Sequence, residues 1–155
     1  MYKYASTFHL PKQNESITPK QTLITEWGNF LETYHWQYYN TFTTKSPMSA
    51  EYARNSMTQL FKKLQKEFNP VVMFWVAEPF DTEYGYHTHA LLNLNTVATK
   101  KTETVIKRSW ESVIGCKPNK FYTRTLITPY IRNLGANFYL GKYLHKHSCD
   151  HDFFY

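Results

Sequence analysis

The chain has 155 residues, 42% of them apolar, which suits one domain around a single core and excludes global disorder. Its formal charge is +6 and its isoelectric point about 9.2, a balance that favours an anionic partner, nucleic acid first. The longest apolar run, Val71 to Ala77, is far too short to cross a bilayer, and Met1-Tyr2-Lys3-Tyr4 lacks the apolar region of a secretory signal.

Residues 1–17 show no clear period and read as an arm or loose lead-in. A helix is expected over 18–35, with Thr18 as N-cap before Pro19 and Leu23, Trp27, Phe30, Leu31 and Tyr34 at helical spacing. Trp36 to Thr44 is aromatic and β-branched, a strand by propensity, and Lys45-Ser46-Pro47 ends it. A second helix, about Ala50 to Phe68, buries Ala53, Met57, Leu60, Phe61, Leu64 and Phe68 and turns Lys62, Lys63 and Lys66 outward. Val71 to Glu78 is apolar almost throughout and reads as a central strand. After a short connection, Gly85 to Leu94 reads as the next strand, followed by a helix over 99–114 with Gly115 as its stop. Phe121 to Ile127 is a fourth strand, and Asn133 to about His147 a last helix. The chain then ends on apolar Asp152-Phe153-Phe154-Tyr155, compatible with a tail packed on the core or with a piece of a longer protein. The two cysteines, Cys116 and Cys149, have no CxxC spacing, so a reducing interior is expected.

No repeat or linker divides the chain, so residues 1–155 form one domain. Helix, then βαββαβ, then helix fits an α+β sandwich of the ferredoxin-like kind, with one antiparallel sheet, an N-terminal helix and a C-terminal tyrosine-bearing helix.

Two constellations carry chemistry. His87 and His89 stand one residue apart on a strand and so share a face, while Tyr86, Thr88, Ala90, Leu92 and Leu94 face the core. Glu78 ends the preceding strand, and a hairpin brings it back beside the histidines as a third ligand. Two imidazoles and one carboxylate leave positions open for substrate, as in a catalytic site, and suit Mn²⁺ or Mg²⁺ without excluding Zn²⁺ or Co²⁺. The second HxH, His145-Lys146-His147, falls on a predicted helix, where residues two apart diverge by about 200°. Tyr139, Lys142, Tyr143 and Lys146 recur at i, i+3, i+4 and i+7, with Leu134, Phe138, Leu140, Gly141 and Leu144 opposite for packing. The lysines are expected to favour the phenolates and to hold phosphate oxygens. Each pattern alone also suits a bland reading: strand histidines bonded to their neighbours, and a solvated Lys/Tyr face.

Together these residues resemble the HUH endonucleases, the superfamily of relaxases and rolling-circle replication initiators. Tyr39-Asn40-Thr41-Phe42-Thr43-Thr44 resembles the first family motif, His87-Thr88-His89 with Ala90-Leu91-Leu92 the second, and Tyr139-Leu140-Gly141-Lys142-Tyr143-Leu144-His145-Lys146 the third, in its two-tyrosine form. Thr88 departs from the usual hydrophobic residue between the histidines. Tyrosines that follow the histidines are similar to replication initiators rather than relaxases. The resemblance implies metal-dependent nicking and joining of single-stranded DNA at a replication origin through a 5′-phosphotyrosine link. It implies Tyr139, with Tyr143, as nucleophiles, Lys142 in support, and His87, His89 and Glu78 on a Mn or Mg ion. Lys146 and Arg124 are candidates for DNA contact. It also implies a host helicase or polymerase as a further partner and the cytoplasm of a prokaryotic or viral host cell as the setting. A transposase or relaxase would share this chemistry. A non-catalytic single-stranded nucleic-acid-binding module is the alternative of another class.

Overall fold

Hydroxyl side chains set the helix starts. In the computed structural model, which describes residues 17–81, 83–115, 125–145 and 149–155, Thr18 caps α1 (Pro19–Glu32), Ser49 caps α2 (Ala50–Glu67) and Thr99 caps α3 (Lys100–Ile114). Each accepts a hydrogen bond from the backbone N–H three residues on, and at Thr18 the Gln21 side chain completes a capping box. Gly115 ends α3 in the left-handed conformation at φ +68°, as its sequence position predicts.

Five strands form one antiparallel sheet in the order β4-β1-β3-β2-β5: β1 (Tyr38–Phe42), β2 (Val72–Pro79), β3 (Tyr86–Asn93), β4 (Leu126–Pro129) and β5 (His151–Phe154). The histidine strand β3 lies at its centre. Alternation along the strands separates two cores. Tyr38, Phe42, Met73, Trp75, Ala77, Ala90 and Leu92 pack with Met57, Leu60 and Leu64 of α2 and Ile106 and Trp110 of α3. On the other face Tyr39, Phe74, Val76 and Leu91 pack with Leu31 of α1 and with Leu140 and Tyr143 of the C-terminal segment. The even-numbered face of β3 is thus core, as read from the sequence, and the odd-numbered face carries the histidines. Among the described residues, no helix is long and apolar enough to cross a membrane.

The C-terminal third departs from expectation. The helix expected over 133–147 is broken by Gly135 at φ +67°, leaving a 3₁₀ turn at Arg132–Leu134 and a six-residue helix α4 (Ala136–Gly141). Leu134 is consequently exposed rather than packed. Of the strand expected over 121–127, residues 121–124 lie outside the described residues, and β4 runs on to Pro129. Of the stripe read in α1, Leu31 is buried and Trp27 and Tyr34 pack half-buried against the same core, joined by Ile24 and Gly28, while Phe30 is partly exposed.

The apolar tail packs on the core as β5, beside β2. Phe153 meets Phe30, Tyr34 and Trp36 on the α1 face, and Phe154 stacks on Phe61 on the α2 face. Arg54 of α2 fixes the strand's register. Its Nε and Nη2 donate to the two oxygens of Asp150 at 2.7 and 2.5 Å, and its Nη1 donates to Asp152 at 2.8 Å. The bidentate carboxylate contact is the strong form of such a pair, but the Arg54 side chain is 43% exposed, so water screens it. Arg54→Ala is expected to cost about 1–2 kcal/mol in urea denaturation, with a smaller loss in high salt.

Candidate metal centre

Register brings the three sequence-predicted ligands together. Glu78 stands directly opposite His87 in the β2–β3 ladder, and Val76 opposite His89, so the carboxylate and both imidazoles project from one face. His87 Nε2 lies 3.1 Å from His89 Nε2, and Glu78 Oε2 lies 3.5 Å from the first and 2.5 Å from the second. His89 is buried and the other two partly buried. The Phe80 ring walls the outer side of His87, with ring centroids 4.7 Å apart.

From β1 two hydroxyls reach the far nitrogen of His89. Tyr39 Oη lies 2.9 Å and Thr41 Oγ1 3.0 Å from His89 Nδ1. The sequence reading did not single them out as site residues. Their i, i+2 spacing puts Thr41 and Tyr39 on one face of β1, and the pairing of β1 with β3, which sets Thr41 opposite His89, turns that face to the site.

The tyrosines come from α4 and the turn after it. Asn137 Nδ2 donates to the Gly28 carbonyl at 2.9 Å and ties α4 to α1, while Gly141 lets the α1 backbone approach so closely that a Cβ there would stand 3.1 Å from the Ile24 oxygen. Held this way, Tyr139 Oη donates to the Glu78 carboxylate at 3.1 Å from either oxygen, and Tyr143 Oη donates to Glu78 Oε1. The phenol oxygens are 3.4 Å apart. Lys142 Nζ stands over both rings, 3.7 Å from the Tyr139 centroid and 4.5 Å from that of Tyr143. The YxxKY residues therefore face the histidine strand, and Tyr143 is also part of the core between sheet and helix. Arg124 and Lys146 lie outside the described residues.

The electrostatics correct one expectation. Lys142 was expected to favour the phenolates. Instead burial, with the Glu78 charge behind it, pushes Tyr139 up to about 12, and burial and the bond to Glu78 push Tyr143 up further. The ammonium stands over the ring faces, and both phenol oxygens meet a carboxylate. Burial pushes the Glu78 carboxyl up, but hydrogen bonds from His87 and His89 outweigh it and hold it well below the carboxylate range. Burial holds His89 below the usual imidazole range, against the opposing pull of Glu78, whose Oε2 lies 2.5 Å from His89 Nε2.

These donors fit a divalent cation. One ligand atom from each of Glu78, His87 and His89 falls within 4.8 Å of the others, the one such group among the described residues. Two nitrogens bound cis at about 2.1 Å from one ion would stand about 3.0–3.4 Å apart, which matches the Nε2 spacing. A cation there would also reverse the sign of the local charge, and with it the direction in which the phenols are pushed. In comparisons with known proteins, no family model, no curated protein and no solved structure matches the chain.

Proposed function

We propose that this protein is an HUH-type endonuclease that nicks and rejoins single-stranded DNA through a covalent 5′-phosphotyrosine, as an initiator of rolling-circle replication of a plasmid or virus. One observation carries the reading: two phenols from one helical turn converge on the carboxylate that also contacts both imidazoles. The bland reading of each motif does not account for that meeting. The strand order β4-β1-β3-β2, with α2 and α3 on one face, is also the order expected of a ferredoxin-like βαββαβ sandwich, to which β5 adds an edge.

His87, His89 and Glu78 would hold the ion, and their mixed nitrogen and oxygen donors suit Mn²⁺ or Mg²⁺. When bound, it supplies Lewis-acid polarisation of the scissile phosphate. Tyr139, the more open of the two phenols, is the first nucleophile; Tyr143 is buried against the core. The Tyr139 oxygen bonds to phosphorus as its phenol gives up its proton to water, and the P–O bond to the DNA 3′ oxygen breaks, that oxygen taking a proton from water to leave as the free 3′-OH. Lys142 holds both rings in place and offers its charge to the phosphate. Tyr143, or the free 3′-OH, attacks in the joining step. Because the ester bond is conserved in the adduct, joining needs no nucleotide hydrolysis.

The test is a denaturing gel that detects protein–DNA adducts on labelled single-stranded oligonucleotides with Mn²⁺. The panel includes origin-like sequences, with Tyr139→Phe, Tyr143→Phe and the double variant alongside. An EDTA-sensitive adduct is expected, weakened by Tyr139→Phe more than by Tyr143→Phe. In the double variant it falls below about a thousandth of wild type, because no nucleophile remains. Tight, chelator-insensitive DNA binding with no adduct on any sequence would replace this reading by a non-catalytic binding module.

A further inference from the structure

We infer that Tyr39 and Thr41 are positioning residues for His89, forming a two-way hydroxyl holder that keeps the imidazole in place while a metal ion loads. The inference rests on the metal-centre reading above. Its basis is that two hydroxyls, from one face of β1, address a single ring nitrogen, His89 Nδ1, at 2.9 and 3.0 Å. Tyr39 is buried, and its ring lies parallel to the imidazole, 9° between planes.

A hydroxyl can donate or accept, and a neutral imidazole has one nitrogen of each kind. Without metal, His89 Nε2 points at Glu78 Oε2 at 2.5 Å, so the ring proton belongs on Nε2. Nδ1 then carries a lone pair, to which a hydroxyl donates. Metal ligation through Nε2 needs that nitrogen's lone pair, so the ring proton must sit on Nδ1, and the same hydroxyls then accept it. The hydroxyls turn; the ring does not. A carbonyl could only accept at Nδ1 and would serve one of the two states. His87 supplies the contrast, since its Nδ1 is buried with no hydrogen-bond partner among the described residues. His89 is thus the pre-oriented ligand and His87 the one without such support.

One ring nitrogen needs one good partner, so the hydroxyls are redundant, and their removal should be strongly non-additive. The test is Mn²⁺ affinity, read from the electron paramagnetic resonance signal of the free ion. Tyr39→Phe and Thr41→Val keep the shape of the side chains, and each alone should weaken binding less than about threefold, whereas the double variant should weaken it about 10- to 100-fold. Thr41→Ser in place of Thr41→Val, still combined with Tyr39→Phe, keeps one hydroxyl and should hold affinity close to that of Tyr39→Phe alone, which a merely structural role would not predict. Nitrogen-15 NMR of the Zn²⁺-loaded wild type should place the His89 proton on Nδ1, with faster exchange in the double variant. A double variant that binds Mn²⁺ as wild type does, or one no weaker than the two singles combined, overturns this inference and leaves the metal centre standing. Wild type that binds no Mn²⁺ overturns both.

Discussion

Glu78→Ala is expected to abolish adduct formation and to weaken Mn²⁺ binding more than about 100-fold, since even an outer-sphere partner of a metal ligand is worth about 10- to 100-fold. Four groups converge on this one carboxylate. It touches both histidines and accepts from both phenols. Alanine leaves two phenols and two imidazoles without their common acceptor, in a place from which water is mostly excluded. The expected stability loss is about 2–3 kcal/mol in urea denaturation. Glu78→Gln separates the roles: it still fills the space and can still accept from a phenol, so the fold should persist while Mn²⁺ affinity collapses. The pH dependence has a definite sign. His89 titrates below its ordinary 6.5 in the folded protein, so the unfolded chain takes up that proton first, and stability of the metal-free protein falls as pH drops below about 6.5. Glu78 titrates below its ordinary 4.5, so its contribution is complete above that pH and is lost on further acidification. Thermal unfolding of metal-free protein across pH 7 to 3 should show both declines, and Glu78→Gln should lose the lower one. A pH-independent midpoint would contradict the buried, hydrogen-bonded carboxylate.

Most of this site was legible because it depends on period and register. A strand places His87 and His89 on one side whatever the surrounding fold, and a short hairpin can return Glu78 to within reach. The pairing of Glu78 with His87 is that return. The tyrosine stripe was legible for the same reason: Tyr139 on α4 and Tyr143 in the turn after it stay on one side even though the helix ends at Gly141. The missing pieces depended on tertiary contact. Tyr39 and Thr41 become site residues only through the β1–β3 register. Gly135, a residue that a predicted helix can tolerate, takes the left-handed conformation and cuts that helix short. The tail became a strand because Arg54 and the aromatic residues of α1 and α2 receive it on both faces, and neither partner is near it in sequence. The sign of the phenol shift is not legible in the spacing, because a lysine at i+3 shows which face it shares and says nothing of the burial or of the carboxylate from β2 that the phenols meet.

Gly28→Ala is expected to destabilise the protein, although in an isolated helix the same change would be favourable by about 0.5–1 kcal/mol. The sign reverses because of packing. A Cβ on Gly28 would fall within the Phe138 ring, which lies across α1 at this point. The neighbouring Asn137–Gly28 hydrogen bond holds the two backbones together, so the ring cannot simply back away. Overpacking of this kind costs about 1–3 kcal/mol, and here the strain falls on the helix whose next residue is Tyr139. Two measurements follow. Urea denaturation should show the loss, and Phe138→Leu in the Gly28→Ala background should recover part of it as a favourable coupling, because the shorter side chain makes room. The adduct assay should fall in Gly28→Ala while Mn²⁺ affinity stays near wild type, since Glu78, His87 and His89 stand on β2 and β3 and not on the displaced helix. A stabilised Gly28→Ala variant would mean that α1 and α4 do not meet through this glycine, and that the tyrosines are held over Glu78 by something other than the α1 face.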